Sequence, residues 1–398
     1  MSTQVRERRR TTLQQVLLIA GILLIAANLR PALSAVGPLL GDIRRDTGLS
    51  NTLLGMLTTL PLLAFGVMSS LASVISRKIG IESTLAGAMV ILTAGILTRV
   101  IELPTALFGG TLLIGIGIAL GNVLLPGLVK RDFSEKAGIM ISTYSSVLGI
   151  GSAVAAGLSV PMAEDLGLGW RWSLGSWALL SIIAFVVWLP QLRDRTIDRD
   201  ARGIIQALND LGRKKLAWKV ALFMGLQSLT FYVVLTWLPE ILQNQGMKPH
   251  HAGYMLSLSQ GMGIFGTLLV PAMGERMKNQ RIIVWILISC EMTGLVGLLL
   301  MGNVGAPFWV SIIGFALGGN FGLALLFIVL RTARHETAAE LSGMAQSIGY
   351  LLAATGPTFF GFLHDFTTGW VIPLLVLMGI VIIKMMMGLS AGRDAVIE

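Results

Sequence analysis

The stretch that decides the fold runs from Leu13 to Leu40, LQQVLLIAGILLIAANLRPALSAVGPLL, an apolar run that contains Asn28, Arg30 and Pro31. A helix that crosses the hydrocarbon core of a bilayer needs about 20 mostly apolar residues, and this run is longer. At about 1.5 Å of rise per residue, Arg30 falls near the middle of the membrane. A guanidinium facing lipid at that depth costs at least about 2.5 kcal/mol. Arg30 must therefore face a polar cavity or an ion-pair partner between helices, and we favour a role in substrate binding or coupling.

The composition of the whole chain agrees with a membrane protein. Of its 398 residues, 54% are hydrophobic and 13% are charged, about half the charged share of a soluble domain. The net charge of +9 does not indicate nucleic-acid binding, because the basic residues cluster in short loops on one side. The single cysteine, Cys290, excludes a disulfide within the chain. The first apolar run is too long for a signal peptide and lacks a small-residue cleavage site, so we interpret it as a retained helix.

Twelve apolar segments follow one another and predict an all-α protein with twelve transmembrane helices. They cover approximately residues 14–41, 50–75, 82–101, 106–130, 136–161, 172–190, 216–240, 251–274, 281–302, 307–331, 340–364 and 370–390. When alternate connections are assigned to opposite sides, nearly all Lys and Arg residues, Lys384 among them, fall on one side. The positive-inside rule then predicts that both termini are cytoplasmic.

One long polar interruption divides the chain. Residues 191–215 form a charged linker in which Ile204 and Leu208 share one face at helical spacing, and they predict an amphipathic helix on the cytoplasmic surface. The linker separates a first half, 1–190, from a second half, 216–398.

The two halves resemble each other in sequence, which indicates an internal repeat. The matched positions lie roughly 200 residues apart and keep their order: Pro38 with Pro239, Gly55 with Gly253, and Asn122 with Asn320.

Two turns carry a shared basic motif. It reads Arg77-Lys78-Ile79-Gly80 in the first half and Glu275-Arg276-Met277-Lys278 in the second, and the first copy lacks the acidic residue. Together with the two six-helix halves, these turns resemble the conformational-turn motif of the major facilitator superfamily. Within it, NLRPALSAVGPLL, GIALGNVLLPGLVKRDF and LSGMAQSIGYLLAATGP resemble the bacterial cyanate/2-nitroimidazole transporter family, nearer its nitroimidazole branch.

The resemblance implies a transporter of the bacterial inner membrane that works by rocker-switch alternating access. Its substrate site would lie near the membrane midplane, lined by helices 1, 4, 7 and 10 and supported by helices 2, 5, 8 and 11. It implies a small polar or heteroaromatic substrate, with 2-nitroimidazole-like export as the first hypothesis and uptake or exchange of a small anion such as cyanate as the alternative. It also implies a monomer coupled to protons, without a cofactor or metal ion. A membrane-embedded enzyme is disfavoured, because the sequence shows no metal-spaced cluster and no Ser/His/Asp arrangement within its segments.

Polar and aromatic residues in those helices are the candidate substrate ligands. Amides and a guanidinium can bond the edge of a planar molecule while aromatic rings contact its face. The candidates are Arg30, Asn28, Asn122, Tyr144, Gln227, Tyr232, Trp237, Asn320, Gln346 and Tyr350. For each single amide, an interhelical hydrogen bond is the alternative.

Proton coupling requires a group that titrates, and few are available within the segments. The candidates are His364, Asp365 and Glu240 at outer helix ends and Glu291 in the middle of the ninth segment. For Glu291 we favour a structural role, because the ninth helix is peripheral in the fold that the resemblance implies. Arg99 and Glu102 are predicted to form a local pair.

Overall fold

The computed structural model describes residues 12–133, 136–193, 211–332 and 335–397. Within these ranges the chain forms twelve long helices in sequence, the first broken into three pieces and the sixth into two. Their bounds are Thr12–Asn28, Pro31–Ser34 and Val36–Thr47 for α1; Asn51–Ile79 for α2; Ile81–Thr98 for α3; Pro104–Asp132 for α4; Ala137–Glu164 for α5; Gly169–Gly175 and Trp177–Trp188 for α6; Lys215–Asn244 for α7; Pro249–Glu275 for α8; Arg281–Met301 for α9; Ala306–Leu330 for α10; His335–Thr367 for α11; and Val371–Ala391 for α12.

The break in α1 lies where the sequence places Arg30 and Pro31. Proline has no N–H to donate, so the regular ladder of helical hydrogen bonds is interrupted there. Around the break, the Leu29 N–H donates to the Ala26 carbonyl at 3.1 Å, and the Leu33 and Ser34 N–H groups both donate to the Arg30 carbonyl at 3.0 Å. Arg30 itself has φ −124° and ψ −36°. The backbone is therefore non-helical at Arg30, and the helix resumes at Pro31.

The two halves, α1–α6 and α7–α12, meet mainly along two helix pairs, α2 with α11 and α5 with α8. Glycines permit the close approach. A methyl group added at Gly55 on α2 would lie 2.5 Å from the Pro357 carbonyl oxygen on α11, and one added at Gly253 on α8 would lie 3.1 Å from the Ala156 carbonyl oxygen on α5. These two glycines are a matched pair of the sequence repeat. The prediction of an all-α protein with two six-helix halves is therefore confirmed.

Among the described residues, eleven stretches are long and apolar enough to cross a membrane. The remaining helix is α11, which is 33 residues long. It carries Glu340 near one end and His364 and Asp365 near the other, which lowers its mean hydropathy. It packs along α2 and α7. These helix contacts hold α11 in the bundle despite its lower mean hydropathy. Most of the predicted amphipathic helix in 191–215 lies outside the described residues.

The two basic turns join α2 to α3 and α8 to α9. The backbone of Gly80 has a φ of +88°, which an L side chain rarely adopts, and its N–H donates to the Ser76 carbonyl at 2.9 Å. Arg77 and Lys78 lie in the last turn of α2. Glu275 ends α8, and Arg276 and Lys278 follow in the second turn. We call the end of the bundle that carries these turns the basic end.

Candidate functional site

A cavity of about 270 Å³ lies between the two halves. It is lined by residues of α1, α4 and α5 from the first half and of α7, α8, α10 and α11 from the second. The lining extends to Ile141 on α5 and Leu325 on α10, near the ends of those helices that lead to Lys136 and Arg331. The cavity thus reaches from mid-depth towards the basic end.

Arg30 enters this cavity from the break in α1. Its guanidinium carbon lies 4.8 Å from the centroid of the Phe231 ring on α7. A guanidinium over an aromatic face contributes about 0.5–2 kcal/mol. Among the described residues Arg30 has no carboxylate partner, and the ion-pair alternative for this residue is not observed. The charge of Arg30 is therefore offset by an aromatic face and not by an acid.

Five aromatic side chains belong to the described lining. Three of them are phenols, Tyr144 on α5, Tyr232 on α7 and Tyr350 on α11. The Phe231 and Tyr232 rings meet edge to face with centroids 5.1 Å apart, and Tyr350 meets Phe65 in the same manner at 5.3 Å. Such contacts fix ring orientation. The cavity can hence present both ring faces and phenolic O–H groups to a ligand.

Amides and hydroxyls complete the lining. Gln227 is 1% exposed, and its Nε2 donates to Ser228 Oγ at 2.7 Å. Gln346 Nε2 donates to Ser342 Oγ at 2.9 Å. Ser152 Oγ donates to Gln260 Oε1 at 3.1 Å and so links α5 to α8 across the halves at the cavity wall. Asn122 on α4 faces the cavity as predicted.

Seven of the ten predicted substrate ligands line the cavity, and three do not: Asn28, Trp237 and Asn320. Asn28 Nδ2 donates to the Leu24 and Leu180 carbonyls, at 2.8 and 3.2 Å, and ties α1 to α6. Trp237 Nε1 donates to the Pro357 carbonyl at 2.9 Å. Asn28 therefore makes the interhelical hydrogen bond that was the alternative for the amides, and Trp237 links α7 to α11 in a similar way.

Asn320 also belongs to a different cluster, which includes Lys384. Asn320 Nδ2 donates to Glu291 Oε2 at 3.0 Å, and Lys384 Nζ lies 2.7 and 2.5 Å from the two Glu291 oxygens. Lys384 also donates to Thr230 Oγ1 at 3.0 Å, and its side chain is fully buried. The assignment of Lys384 to the basic surface was wrong, because the residue lies inside the second half and its charge is neutralised by Glu291. Glu291 is a paired, buried carboxylate, as its structural interpretation predicted.

The end of the bundle opposite the basic end is closed by polar contacts between the halves. We call it the closed end and define it by Arg44, Asn51, Glu240, His364 and Asp365. Arg44 forms an ion pair with Glu240 and donates to Asn51 Oδ1 at 2.8 Å. Asn51 Nδ2 lies 2.9 Å from both His364 Nδ1 and Asp365 Oδ1. Three of the four predicted coupling residues thus lie together in one cross-half network.

Asp365 is the most heavily bonded member of that network. Its Oδ1 accepts from the Asn51 N–H at 3.1 Å, and its Oδ2 accepts from the Thr52 N–H at 2.8 Å and from Thr52 Oγ1 at 2.7 Å. It therefore caps the first turn of α2 from the other half of the molecule. A carboxylate at a helix N-terminus is favourable because the unpaired N–H groups and the helix dipole both attract negative charge.

Further charged contacts lie at the closed end. His250 on α8 contacts Glu164 and Asp165 at the end of α5, at 3.4 and 3.2 Å, and so crosses between the halves. Asp46 pairs with Arg171 inside the first half, and the hydrogen bond from Arg171 lowers the pKa of Asp46.

Arg99 does not form the predicted pair with Glu102. Its side chain is buried and Nη1 donates to the Ala32 carbonyl at 3.1 Å, while Nε and Nη2 have no partner within the described residues. Glu102 is exposed. Ala32 lies just past the break in α1, so Arg99 holds the backbone beside Arg30 from behind.

Residues 22–357 match the sequence model of the family described as the Major Facilitator Superfamily. This chain belongs to that superfamily. Over 383 residues it is 45% identical to the uncharacterized transporter YycB of Bacillus subtilis, covering 96% of this chain and 95% of the relative. It is 41% identical over 384 residues to the 2-nitroimidazole transporter of Escherichia coli, covering 96% of each. It is 25% identical to the cyanate transport protein CynX of the same organism, covering 92% of this chain and 95% of CynX.

A solved structure of another protein has the same architecture as this chain. The bacterial homologue of the human lysosomal transporter Spinster superposes with a TM-score of 0.81, at 14% identity, over 97% of this chain and 98% of that one. At that identity the likeness concerns the fold alone. The relationship to the cyanate and 2-nitroimidazole transporters that the sequence motifs indicated is confirmed.

Several residues of the cavity lining were not among the predicted substrate ligands. Phe231, Gln260 and Phe321 line the cavity, and an aromatic or amide in a long apolar helix gives no sign of which face it takes.

Proposed function

We propose that this protein is a secondary transporter of a small polar or heteroaromatic compound, and that export of 2-nitroimidazole-like molecules is its function. The observation that carries the proposal is a cavity between the halves in which one unpaired guanidinium, three phenols and several amides converge. A volume of about 270 Å³ is at the small end for ligand pockets, which suits a single heteroaromatic ring. The kinship with the 2-nitroimidazole transporter supports the same class.

The cycle we infer is rocker-switch alternating access in a bacterial inner membrane. If the basic end is cytoplasmic, as the positive-inside rule predicts, both termini are cytoplasmic and the cavity in this structure extends towards the cytoplasm. The closed end then faces outwards. Export requires the cross-half contacts of Arg44, Asn51 and Glu240 to separate while new contacts form at the basic end. One chain contributes both halves and the whole described lining, which favours a monomer as the working unit.

Protons are the coupling ion that we propose. A titrating group couples only if its surroundings differ between the two states. His364, Asp365 and Glu240 meet that condition best, because each contacts the opposite half. Glu291 meets it least, since its partners all lie within the second half.

Uptake or exchange of a small anion such as cyanate is the second candidate. It is favoured by the single positive charge in a cavity whose lining, as far as the structure describes it, contains no carboxylate. The kinship with the cyanate transport protein points the same way.

The experiment compares ligands on the purified protein and then in proteoliposomes. A thermal-stability screen measures binding of 2-nitroimidazole, imidazole and cyanate, and counterflow of radiolabelled ligand measures transport, with product analysis to show that the ligand is chemically unchanged. Tyr232→Phe removes one cavity hydroxyl, and Tyr254→Phe is the matched control, because Tyr254 is 45% exposed and outside the lining. We expect stabilisation by 2-nitroimidazole that Tyr232→Phe weakens and Tyr254→Phe does not.

Two results would contradict the proposal. Non-saturating flux without counterflow would indicate a channel. Stabilisation by cyanate with none by 2-nitroimidazole would replace the first candidate by the second.

A further inference from the structure

The cavity has an uncompensated charge. Within the described lining Arg30 is the one charged side chain, because no Asp, Glu, His or Lys is found among these residues. The titratable groups that face it are Tyr144 on α5, Tyr232 on α7 and Tyr350 on α11, and α4, α8 and α10 contribute none. Phenols remain neutral near pH 7 and can donate hydrogen bonds to an anion. The site is therefore monocationic and rich in donors at neutral pH.

The contact with Phe231 does not satisfy this charge. The attraction of a cation to one ring face is weaker than the penalty for removing an ion from water. While the cavity is open to solvent, water can hydrate the guanidinium. When both ends close around the ligand, that hydration is lost, and the ligand itself must supply the missing charge.

We propose that the transported form of the ligand is a planar monoanion. This inference rests on the proposed function. For a 2-nitroimidazole the monoanion is the imidazolate, formed by loss of the ring N–H proton to solvent, and the electron-withdrawing nitro group makes that proton more acidic than in imidazole. The imidazolate presents a ring nitrogen and a nitro oxygen on one edge, a pair of acceptors to which the planar fork of Arg30 can donate. Cyanate, a linear monoanion, meets the same requirement, so one site chemistry serves both ligand types.

The neutral heterocycle would leave the guanidinium uncompensated in the occluded state. It also keeps an N–H donor that cannot pair with the Arg30 guanidinium, which itself can only donate. Ionisation thus improves both the charge and the hydrogen-bond match. The described lining holds no Asp, Glu, His or Lys, so a pH dependence that 2-nitroimidazole shows and a non-ionisable analogue lacks comes from the ligand.

The test uses the full-length purified protein and two ligands that differ in one methyl group. 2-Nitroimidazole can ionise, whereas 1-methyl-2-nitroimidazole keeps the ring and the nitro group but has no N–H to lose. Affinity is measured by calorimetry at a series of pH values on both sides of the pKa of free 2-nitroimidazole. We expect the affinity for 2-nitroimidazole to rise with its ionised fraction and to exceed that for the methyl compound by at least about tenfold when ionisation is complete.

Two arginine variants place this effect at the cavity. Arg30→Gln should abolish the rise with pH and bring the two ligands to similar affinities. Arg45→Gln is the matched control, because the Arg45 side chain is exposed at the closed end and pairs with Asp42. This variant should keep the pH profile of the parent. If Arg30→Gln does not fold, the comparison of the two ligands on the parent protein still decides the question.

Equal affinities for the two nitroimidazoles, or an affinity for 2-nitroimidazole that falls as pH rises, would overturn the inference. If neither nitroimidazole binds but cyanate or benzoate binds in an Arg30-dependent manner, the nitroimidazole substrate is refuted while the monoanion inference is supported. If none of these anions binds, the monoanion inference fails together with the proposed nitroimidazole substrate.

Discussion

The two halves of this transporter place their buried charges at different positions of the same repeat. At the basic end of the first half, Glu82 at the start of α3 accepts from Arg131 at the end of α4, at 2.8 Å. At the corresponding place in the second half, Arg331 has a neutral acceptor, Gln280 Oε1, and also donates to the Ala391 carbonyl at 2.8 Å. The ionic link of one half is therefore an amide link in the other.

In the middle of the helices the arrangement is reversed. In the first half Thr93 Oγ1 and Ser181 Oγ join α3 to α6 at 2.7 Å. The second half uses the Glu291–Lys384 ion pair to join α9 to α12 and extends it to α7 through Thr230. Repeat symmetry thus preserves which helices are joined and where, while the chemistry of each link differs. The second half also fixes α7, the helix that carries the Phe231 and Tyr232 side of the cavity.

The largest expected effect comes from breaking the mid-helix ion pair of the second half. Lys384→Met leaves the Glu291 carboxylate buried without its cation, and removing one partner of a buried pair costs about 3–5 kcal/mol. We expect a loss of that size in the free energy of unfolding, measured by denaturant titration in detergent micelles.

The same position of the first half supplies the control for that measurement. Ser181→Ala removes a neutral hydrogen bond between membrane helices, which costs about 0.6 kcal/mol on average. The double variant Glu291→Gln, Lys384→Met should recover most of the loss, because no unpaired charge remains. A Lys384→Met protein as stable as Ser181→Ala would show that the two links are energetically alike.

The next largest effect concerns the cavity, where the first half supplies Arg30 and the second supplies Tyr232 near the repeat-equivalent position. Truncating one partner of a buried, charged contact costs at least about 2 kcal/mol, which corresponds to about 30-fold in affinity. We expect Arg30→Ala and Arg30→Lys both to lower the affinity for ligand by at least that factor while the protein still inserts. Lysine fails because it lacks the planar fork.

Counterflow in proteoliposomes and calorimetry on purified protein measure this effect. Tyr232→Ala should cost less, about 1 kcal/mol, the scale of one aromatic contact. Near-normal transport by Arg30→Lys would mean that the site requires only a positive charge.

A smaller effect is expected at the closed end, where the two halves touch. Asp365→Asn keeps the shape of the side chain but removes its charge, which weakens the hydrogen bonds from Asn51 and Thr52 by about 1 kcal/mol in total. The population with this end open should rise about fivefold. The measurement is the labelling rate of Thr236→Cys in a Cys290→Ser background, since Thr236 is buried against Thr58 between the halves.

The control is Asp46→Asn, because the pair of Asp46 with Arg171 stays within the first half and should not change the labelling rate. The same variants test coupling. Asp365→Asn and His364→Gln should shift the pH dependence of transport in proteoliposomes, and Glu291→Gln should shift it less. Parental pH profiles in all three variants, together with accumulation that a protonophore does not alter, would exclude proton coupling.

The smallest effect is expected from converting the basic-end link of the first half to the type found in the second. Glu82 is buried, but a glutamine oxygen can still accept from Arg131, so Glu82→Gln should change the free energy of unfolding by less than about 1 kcal/mol. Arg131 is 28% exposed and keeps Asp132, whose carboxylate lies 2.9 Å away. Glu102→Gln, at an exposed site, is the matched control. A Glu82→Gln loss approaching that of Lys384→Met would show that the ionic links of the two halves carry equal weight.

How much of the site could be predicted depended on how unusual each residue is for its surroundings. Arg30 could be placed in the cavity because a charge in the middle of an apolar run has few tolerable surroundings. Asn122 and Asn320 could not be distinguished, because an amide is tolerated wherever it finds a partner. Asn122 faces the cavity, whereas Asn320 bonds Glu291. The difference arises from the side chains of neighbouring helices, which the sequence of the helix itself does not specify.

By itself the sequence determined the number of helices, the two halves, the break at Arg30–Pro31 and the family. These properties depend on local features, hydropathy over about 20 residues and the missing N–H of proline, that sum along the chain. Only the tertiary structure decided which polar groups meet. Lys384 lies in the last helix and Glu291 in the ninth, and their pairing depends on helix rotation and on the packing of α9 against α12. Which distant segments pair depends on packing. For this reason Lys384, predicted to lie on the basic side, and Glu291, predicted to lie in a peripheral helix, form an internal ion pair of the second half.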